Sequence, residues 1–201
     1  MVGFTRFDLE IIKTWIPQHA RVLDLGCGEG DLIASLFSSH NATGYGIETD
    51  SEKIQQCILK GVPVIEQNID EGLHNFTTQS FDTVIIAQSI QELDKPQLLL
   101  QEIVRVGRQG IVTFPNFGYW KNRWMLASAG RMPESNTIPH KWHSTPNIHL
   151  CTCWDFEALC AEHNIAIRNK LVIDHRGRKN RMIQRWSNLL GELALYQITA
   201  N

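Results

Sequence analysis

The sequence predicts an α/β fold: a mostly parallel, seven-stranded sheet with helices on both faces. Three observations carry that expectation. Short β-rich runs alternate with helical patterns along most of the chain, and that alternation places a parallel sheet between two helical layers. The run Val22 to Leu25 reads as a buried strand. Three glycines at every second position (Gly26, Gly28, Gly30) then join it to the start of a helix.

The elements follow in order. Asp8 to Trp15 is a short helix, stopped by Pro17. Arg21 to Leu25 is the first strand, and Asp31 to Ser38 the helix after it. Gly44 to Glu48 is the second strand. A helix follows from Ser51 to Lys60, with Ser51 as its N-cap and Gly61 as its stop. Val64 to Asn68 is the third strand and Phe81 to Gln88 the fourth. Lys95 to Val106 is a helix with Pro96 in its first turn. Gly110 to Phe114 is the fifth strand. Trp154 to His163 is helical, and Thr152 with Asp155 three residues on resembles a capping box. Ile165 to Asp174 and Leu193 to Thr199 read as the last two strands. Pro115 to Asn147 is the one shift in composition, rich in Pro, Asn, Trp and His. The expectation is a single domain over 1–201 with an insert at about 115–150.

A chain of 201 residues can bury a substantial core. Its net charge of -2 supplies no global basic field for nucleic acid or anionic membrane. No apolar run approaches the roughly 20 residues of a membrane span. The stretch MVGFTRFDLEIIKTW lacks the apolar core of a signal peptide. Five unevenly spread cysteines suit reduced thiols better than a disulfide framework. Together these point to a cytoplasmic protein with neither nucleic acid nor membrane as partner.

The glycine turn narrows the ligand. In such sheets ligands sit at the carboxyl ends of the strands, where strand order reverses. Glycine lets the chain turn sharply and lets a ligand touch the backbone. A phosphate-binding P-loop needs G-x-x-x-x-G-K-S/T, and no lysine follows here. A dinucleotide turn needs G-x-G-x-x-G, whereas this one reads G-x-G-x-G. Asp24 lies two residues before it and Glu29 inside it. Two carboxylates repel a pyrophosphate and favour a cationic ligand. A bare strand–helix turn with Glu48 as a surface acid is the competing reading.

S-adenosylmethionine is a cationic nucleoside without phosphate. The stretch VLDLGCGEG resembles motif I of the class I, Rossmann-like methyltransferases. That resemblance implies that S-adenosylmethionine (or S-adenosylhomocysteine) is bound by Asp24, Gly26, Cys27, Gly28 and Gly30. It implies that Glu48, with Thr49 beside it, holds the ribose diol. A carboxylate suits that role because it accepts bidentately from two vicinal hydroxyls. The adenine falls to QNID, with Asn68, Ile69 and Asp70 all included and the choice between Asn68 and Asp70 left open. Gln88 lies beneath the expected sulfonium, followed by Ser89 and Ile90.

Over nearly its full length the chain resembles the MetW family of methionine-biosynthesis proteins. VLDLGCGEG, NIDEGL and SFDTVIIAQSIQEL contribute. The more specific stretches are FPNFGYWKNRW, GRMP and TPNIHLCTCWDFEALC. The resemblance implies action beside MetX, a homoserine O-acyltransferase, and names no methyl acceptor. The alternative is an independent S-adenosylmethionine-dependent methyltransferase acting on a small molecule.

No residue is assigned a catalytic role. Methyl transfer needs proximity and alignment more than acid–base groups. The D/N-P-P-Y/F motif of base amino-methyltransferases is absent after the fourth strand, and so is a Pro-Cys pair. His74, His140, His143, His149 and Ser89 show no triad spacing. His149, Cys151, Cys153, Cys160 and His163 lack a zinc-binding C-x2-C loop, so no metal is expected. Phe117, Tyr119, Trp120, Trp124 and Trp142 crowd the insert. They form either a small aromatic core or, with Arg123 and Arg131, a lid or partner surface. Arg176, Arg178, Lys179, Arg181 and Arg185 read as a solvated charged loop, with an anion or partner site as the rarer option.

Overall fold

A computed structural model describes residues 6–135 and 137–201. Met1–Thr5 of the N-terminal stretch and Asn136 of the insert therefore lie outside the described residues. Seven strands form one sheet: β1 (Arg21–Leu25), β2 (Thr43–Glu48), β3 (Val64–Glu66), β4 (Phe81–Ala87), β5 (Gly107–Pro115), β6 (Ile165–Ile173) and β7 (Leu193–Ala200). Their order is β3-β2-β1-β4-β5-β7-β6. Neighbours run parallel except that β7 is antiparallel to both β5 and β6. The expected mostly parallel α/β sheet is what the chain forms.

Eight helices accompany the sheet among the described residues: α1 (Phe7–Trp15), α2 (Asp31–His40), α3 (Ser51–Leu59), α4 (Pro96–Val106), α5 (Trp120–Ala129), α6 (Cys153–Glu162), α7 (Arg181–Arg185) and α8 (Ser187–Leu190). The side-chain alternation of the strands divides the core into two layers. Val22, Ile85 and Ile111 face α1, α2 and α3, where Ile12, Ile33, Leu36 and Cys57 meet them. Leu23, Val84, Ile86 and Val112 face the opposite way, onto Leu99, Leu100, Ile103 and Val106 of α4 and Phe156 of α6. The α4 positions recur at helical spacing, so one face of that helix is buried. Phe156 packs against Phe114 and Tyr196, with ring centroids 5.0 and 4.6 Å away.

Several boundaries differ from expectation, each for a local reason. The N-cap of α3 is Asp50, not Ser51: its carboxylate accepts from the Glu52 and Lys53 N–H groups. The third strand ends at Glu66, because Asn68 leaves the sheet to cap a short 3₁₀ turn over Ile69–Glu71. The fourth ends at Ala87, because Gln88 adopts a left-handed φ of 64°. β5 is longer than expected, starting at Gly107 and ending at Pro115. Part of the expected charged loop is helical. Asn180 caps α7, whose Ile183 is buried. The capping box of Thr152 and Asp155 forms as expected.

Candidate functional site

Strand order reverses between β1 and β4. The chain builds β1, β2 and β3 outward on one side, then returns to β4 and β5 on the other. Leu25 at the end of β1 pairs with Ile47 of β2 and Ile86 of β4. The segments that leave these strands therefore share one rim and frame a cleft.

The turn after β1 is built from the backbone. Gly26, Gly28 and Gly30 have φ of 68°, 56° and 78°, values that disfavour any side chain. The N–H groups of Gly26 and Cys27 both donate to the Ile47 carbonyl, at 2.9 and 3.0 Å. The Gly28 N–H donates to Glu48 Oε2 at 2.9 Å. Glu48 Oε1 accepts from the N–H groups of Thr49 (2.8 Å) and Asp50 (3.1 Å). One carboxylate thus ties the turn after β1 to the turn after β2. A Cβ at Gly28 would meet no protein atom within 4 Å, whereas one at Gly30 would sit 2.9 Å from Cys57 Sγ. Gly28 is bare on the open side, and Gly30 is bare because α3 packs against it.

A cavity of about 500 Å³ opens over this turn. Its walls include Gly26, Gly28, Glu48, Thr49, Asn68, Ile69 and Gln88, seven of the eleven residues expected in the site. A smaller cavity of about 190 Å³ adjoins it, with Arg6, Gly26, Gly28 and Ala87 as shared walls. It adds Asp24 and Cys27. Gly30 and Asp70 line neither. Asp70 Oδ1 accepts instead from the Asp94 N–H at 2.9 Å, while Asn68 is the member of the pair on the wall. Cys27 Sγ lies 3.8 Å from Cys57 Sγ, and Cys57 Sγ approaches the Gly28 carbonyl at 3.2 Å.

The charges are uneven. Burial pushes the Asp24 carboxyl up to about 7, against the Arg6 guanidinium and with the nearby Glu48 carboxylate. Glu92, on the wall of the larger cavity, is also raised, by desolvation and against the opposing pull of the Lys53 ammonium.

Arg6, Asp8, Lys53 and Glu92 were not among the expected site residues. Asp8 is fully buried. It accepts from Arg6 Nε and Nη2 at 3.0 and 2.8 Å and from Gln88 Nε2 at 2.8 Å. One signal for it existed. Asp8 stands four residues before Ile12, on the buried face of α1, and a carboxylate there needs a partner.

The insert is anchored by Asn116. Its Nδ2 donates to the carbonyls of Gly191 (2.7 Å) and Asn188 (3.2 Å), and its Oδ1 accepts from the Gly118 and Cys153 N–H groups. Arg123 is taken up locally: its Nε donates to the Gly118 carbonyl at 2.6 Å. Tyr119 is buried, but Trp120, Trp124 and Trp142 are 44%, 66% and 74% exposed. The insert's tryptophans therefore do not build a satellite core. A groove of about 720 Å³ runs along Met125, Arg131 and Trp142. Among the described residues, no helix is long and apolar enough to cross a membrane.

The fold is shared with solved methyltransferases. An S-adenosylmethionine-dependent methyltransferase from Mesorhizobium loti superposes with a TM-score of 0.71 at 14% identity, over 98% of this chain and 99% of that one. The cyclase SpnF has the same fold, with a TM-score of 0.66 at 15% identity over 96% of this chain and 80% of that one. In sequence, the chain is 34% identical over 176 residues to the bifunctional methionine biosynthesis protein MetXA/MetW of Rhodopirellula baltica. That match covers 83% of this chain and 28% of the relative, so the chain spans little more than a quarter of that protein's length. The family described as methionine biosynthesis protein MetW matches residues 6–198, and this chain, a Rossmann-like methyltransferase fold, belongs to it.

Proposed function

We propose that the chain binds S-adenosylmethionine or S-adenosylhomocysteine in the cleft after β1, β2 and β4. In this reading it acts in the cytoplasm beside a MetX-like homoserine O-acyltransferase. The observation that carries the ligand is the acid-walled glycine turn: Gly28 bare toward the cavity, with Glu48 and Asp24 beside it. A volume of about 500 Å³ lies within the roughly 300–1,000 Å³ range of small-molecule sites. Two carboxylates disfavour phosphates and suit a sulfonium and an ammonium. Glu48 retains lone pairs for the ribose hydroxyls, Asn68 and Ile69 take the adenine side, and Gln88 stands under the sulfonium. The bound cofactor would supply either a methyl group or only a signal of its presence.

The partner reading rests on the relative in which MetXA and MetW share one polypeptide. Residues 115–150 serve in it as an insert on one domain, offering exposed tryptophans to the acyltransferase. Co-expression tests it: the acyltransferase is expected to co-purify and its acyl transfer to change when this chain is present. Absence of both effects removes the accessory role.

A second reading, an independent methyltransferase on a small molecule, is favoured by one feature. Glu92 lines the cavity with a raised pKa, a group suited to taking a proton from an acceptor. Robust methyl transfer to a defined small molecule would establish it.

A further inference from the structure

Two thiols meet at the glycine turn. Cys27, inside the turn, and Cys57, on α3, have their Sγ atoms 3.8 Å apart, close to van der Waals contact. Two glycines leave the space they fill. A Cβ at Gly46 would collide with Cys27 Sγ, and one at Gly30 would sit 2.9 Å from Cys57 Sγ. Gly46 has no left-handed φ that would call for glycine, so its bareness on β2 serves the thiol packed against it. Cys151, Cys153 and Cys160 belong to the opposite core layer.

Exposure divides the pair. Cys27 is half-buried and lines the smaller cavity, whereas Cys57 is fully buried behind it. A small reagent entering that cavity reaches Cys27 first. Bringing the two sulfurs to bonding distance needs about 1.8 Å of approach. Burial pushes both thiols up, so few are ionised at neutral pH and the pair reacts slowly.

We propose that Cys27 and Cys57 form an oxidative modification site, converted to an intramolecular disulfide by a small hydroperoxide. The Cys27 thiolate attacks a peroxide oxygen, the O–O bond breaks, and water leaves once its proton is supplied; Cys27 becomes a sulfenic acid. The Cys57 thiolate then attacks the Cys27 sulfur, and the hydroxyl leaves as a second water. Two thiols and one hydrogen peroxide thus give one disulfide and two waters. The cross-link ties the turn after β1 to α3 and removes the contact of Cys57 Sγ with the Gly28 carbonyl, at 3.2 Å. Gly28 is bare toward the larger cavity, so the oxidised chain binds the adenosyl ligand more weakly. That consequence rests on the cofactor reading given above, and the cross-link itself does not.

Prolonged exposure of the intact chain to hydrogen peroxide at neutral pH tests the site. Free thiols should fall by two, peptide mapping should join Cys27 to Cys57, and dithiothreitol should reverse both changes. Cys57→Ser should instead accumulate sulfenic acid at Cys27, trapped with dimedone. Denaturant unfolding checks that this variant folds, and the wild-type peptide map decides if it does not. Both cysteines still reduced, or a link to Cys151, Cys153 or Cys160 in place of this one, overturns the proposal.

Calorimetric titration with S-adenosylmethionine tests the consequence. The reduced chain is expected to bind at least fivefold more tightly than the oxidised chain. Equal affinity overturns the effect on the ligand. A reduced chain that does not bind overturns the cofactor reading, while the mapped disulfide still decides the site.

Discussion

The Glu48 carboxylate accepts the Gly28 N–H at 2.9 Å, so the acid at the end of β2 holds the turn after β1 in place. Removing that carboxylate should act twice. It would delete the proposed ribose acceptor, and it frees the N–H groups of Gly28, Thr49 and Asp50. Glu48→Ala is expected to weaken S-adenosylmethionine binding by about 1.5–3 kcal/mol, roughly ten- to hundredfold. Calorimetric titration measures it, and unchanged affinity would remove Glu48 from the site.

Asp24 should make stability and the proposed ligand binding depend on pH in opposite senses. Its carboxyl is raised from 3.8 to about 7 in the folded chain. Well below pH 3.8 both states carry the proton and Asp24 contributes no difference. As pH rises toward 7 the unfolded chain has released its proton and the folded chain has not, so stability falls across that window and then levels. Asp24→Asn should match wild type near pH 4 and exceed it at pH 8 in denaturant unfolding. Ligand affinity should instead rise from pH 6 to 8 as Asp24 ionises toward a cation, and this slope should vanish in Asp24→Asn.

Asn116 is nearly fully buried and joins β5, α6 and the segment around α8 through both ends of its amide. Asn116→Ala strands several buried backbone groups, at about 1–3 kcal/mol for each group left unsatisfied. A loss of more than about 2 kcal/mol in denaturant unfolding is expected. A loss under about 0.5 kcal/mol would show that water replaces the amide.

The exposed tryptophans separate folding from docking. Trp124 is two-thirds exposed on α5, so Trp124→Ala should leave the melting temperature near wild type. If α5 meets the acyltransferase, the same change should weaken the complex by about 2 kcal/mol, roughly thirtyfold. Arg123→Ala is a poorer probe, because Arg123 already holds the Gly118 carbonyl. Equal complex affinity in Trp124→Ala and wild type would move the docking surface elsewhere.

What was legible in the sequence was local. β1, its glycine turn and Glu48 are set by a buried apolar run, the spacing of three glycines and one acid at a strand end, all within a few residues. The family-specific stretch FPNFG was legible as a pattern, but its physical meaning was not. Asn116 works through partners 37 to 75 residues away, and no local spacing encodes that. Arg6 and Asp8 reach the site only because α1 docks against the sheet. α7 escaped notice because five residues with one buried Ile183 give too short a period to read. Which of Asn68 and Asp70 faces the cavity was not legible either: Asn68 caps the turn that contains Asp70, and the fold puts Asn68 on the cavity wall while Asp70 turns to the Asp94 N–H.

The central claim is that the cleft over the acid-flanked glycine turn takes a cationic adenosyl ligand and rejects a dinucleotide. Calorimetric titration of the wild-type chain with S-adenosylmethionine and, separately, with NAD tests it most directly. The account predicts saturable one-to-one binding of S-adenosylmethionine and no measurable heat of binding with NAD. Binding of NAD with no response to S-adenosylmethionine would contradict it.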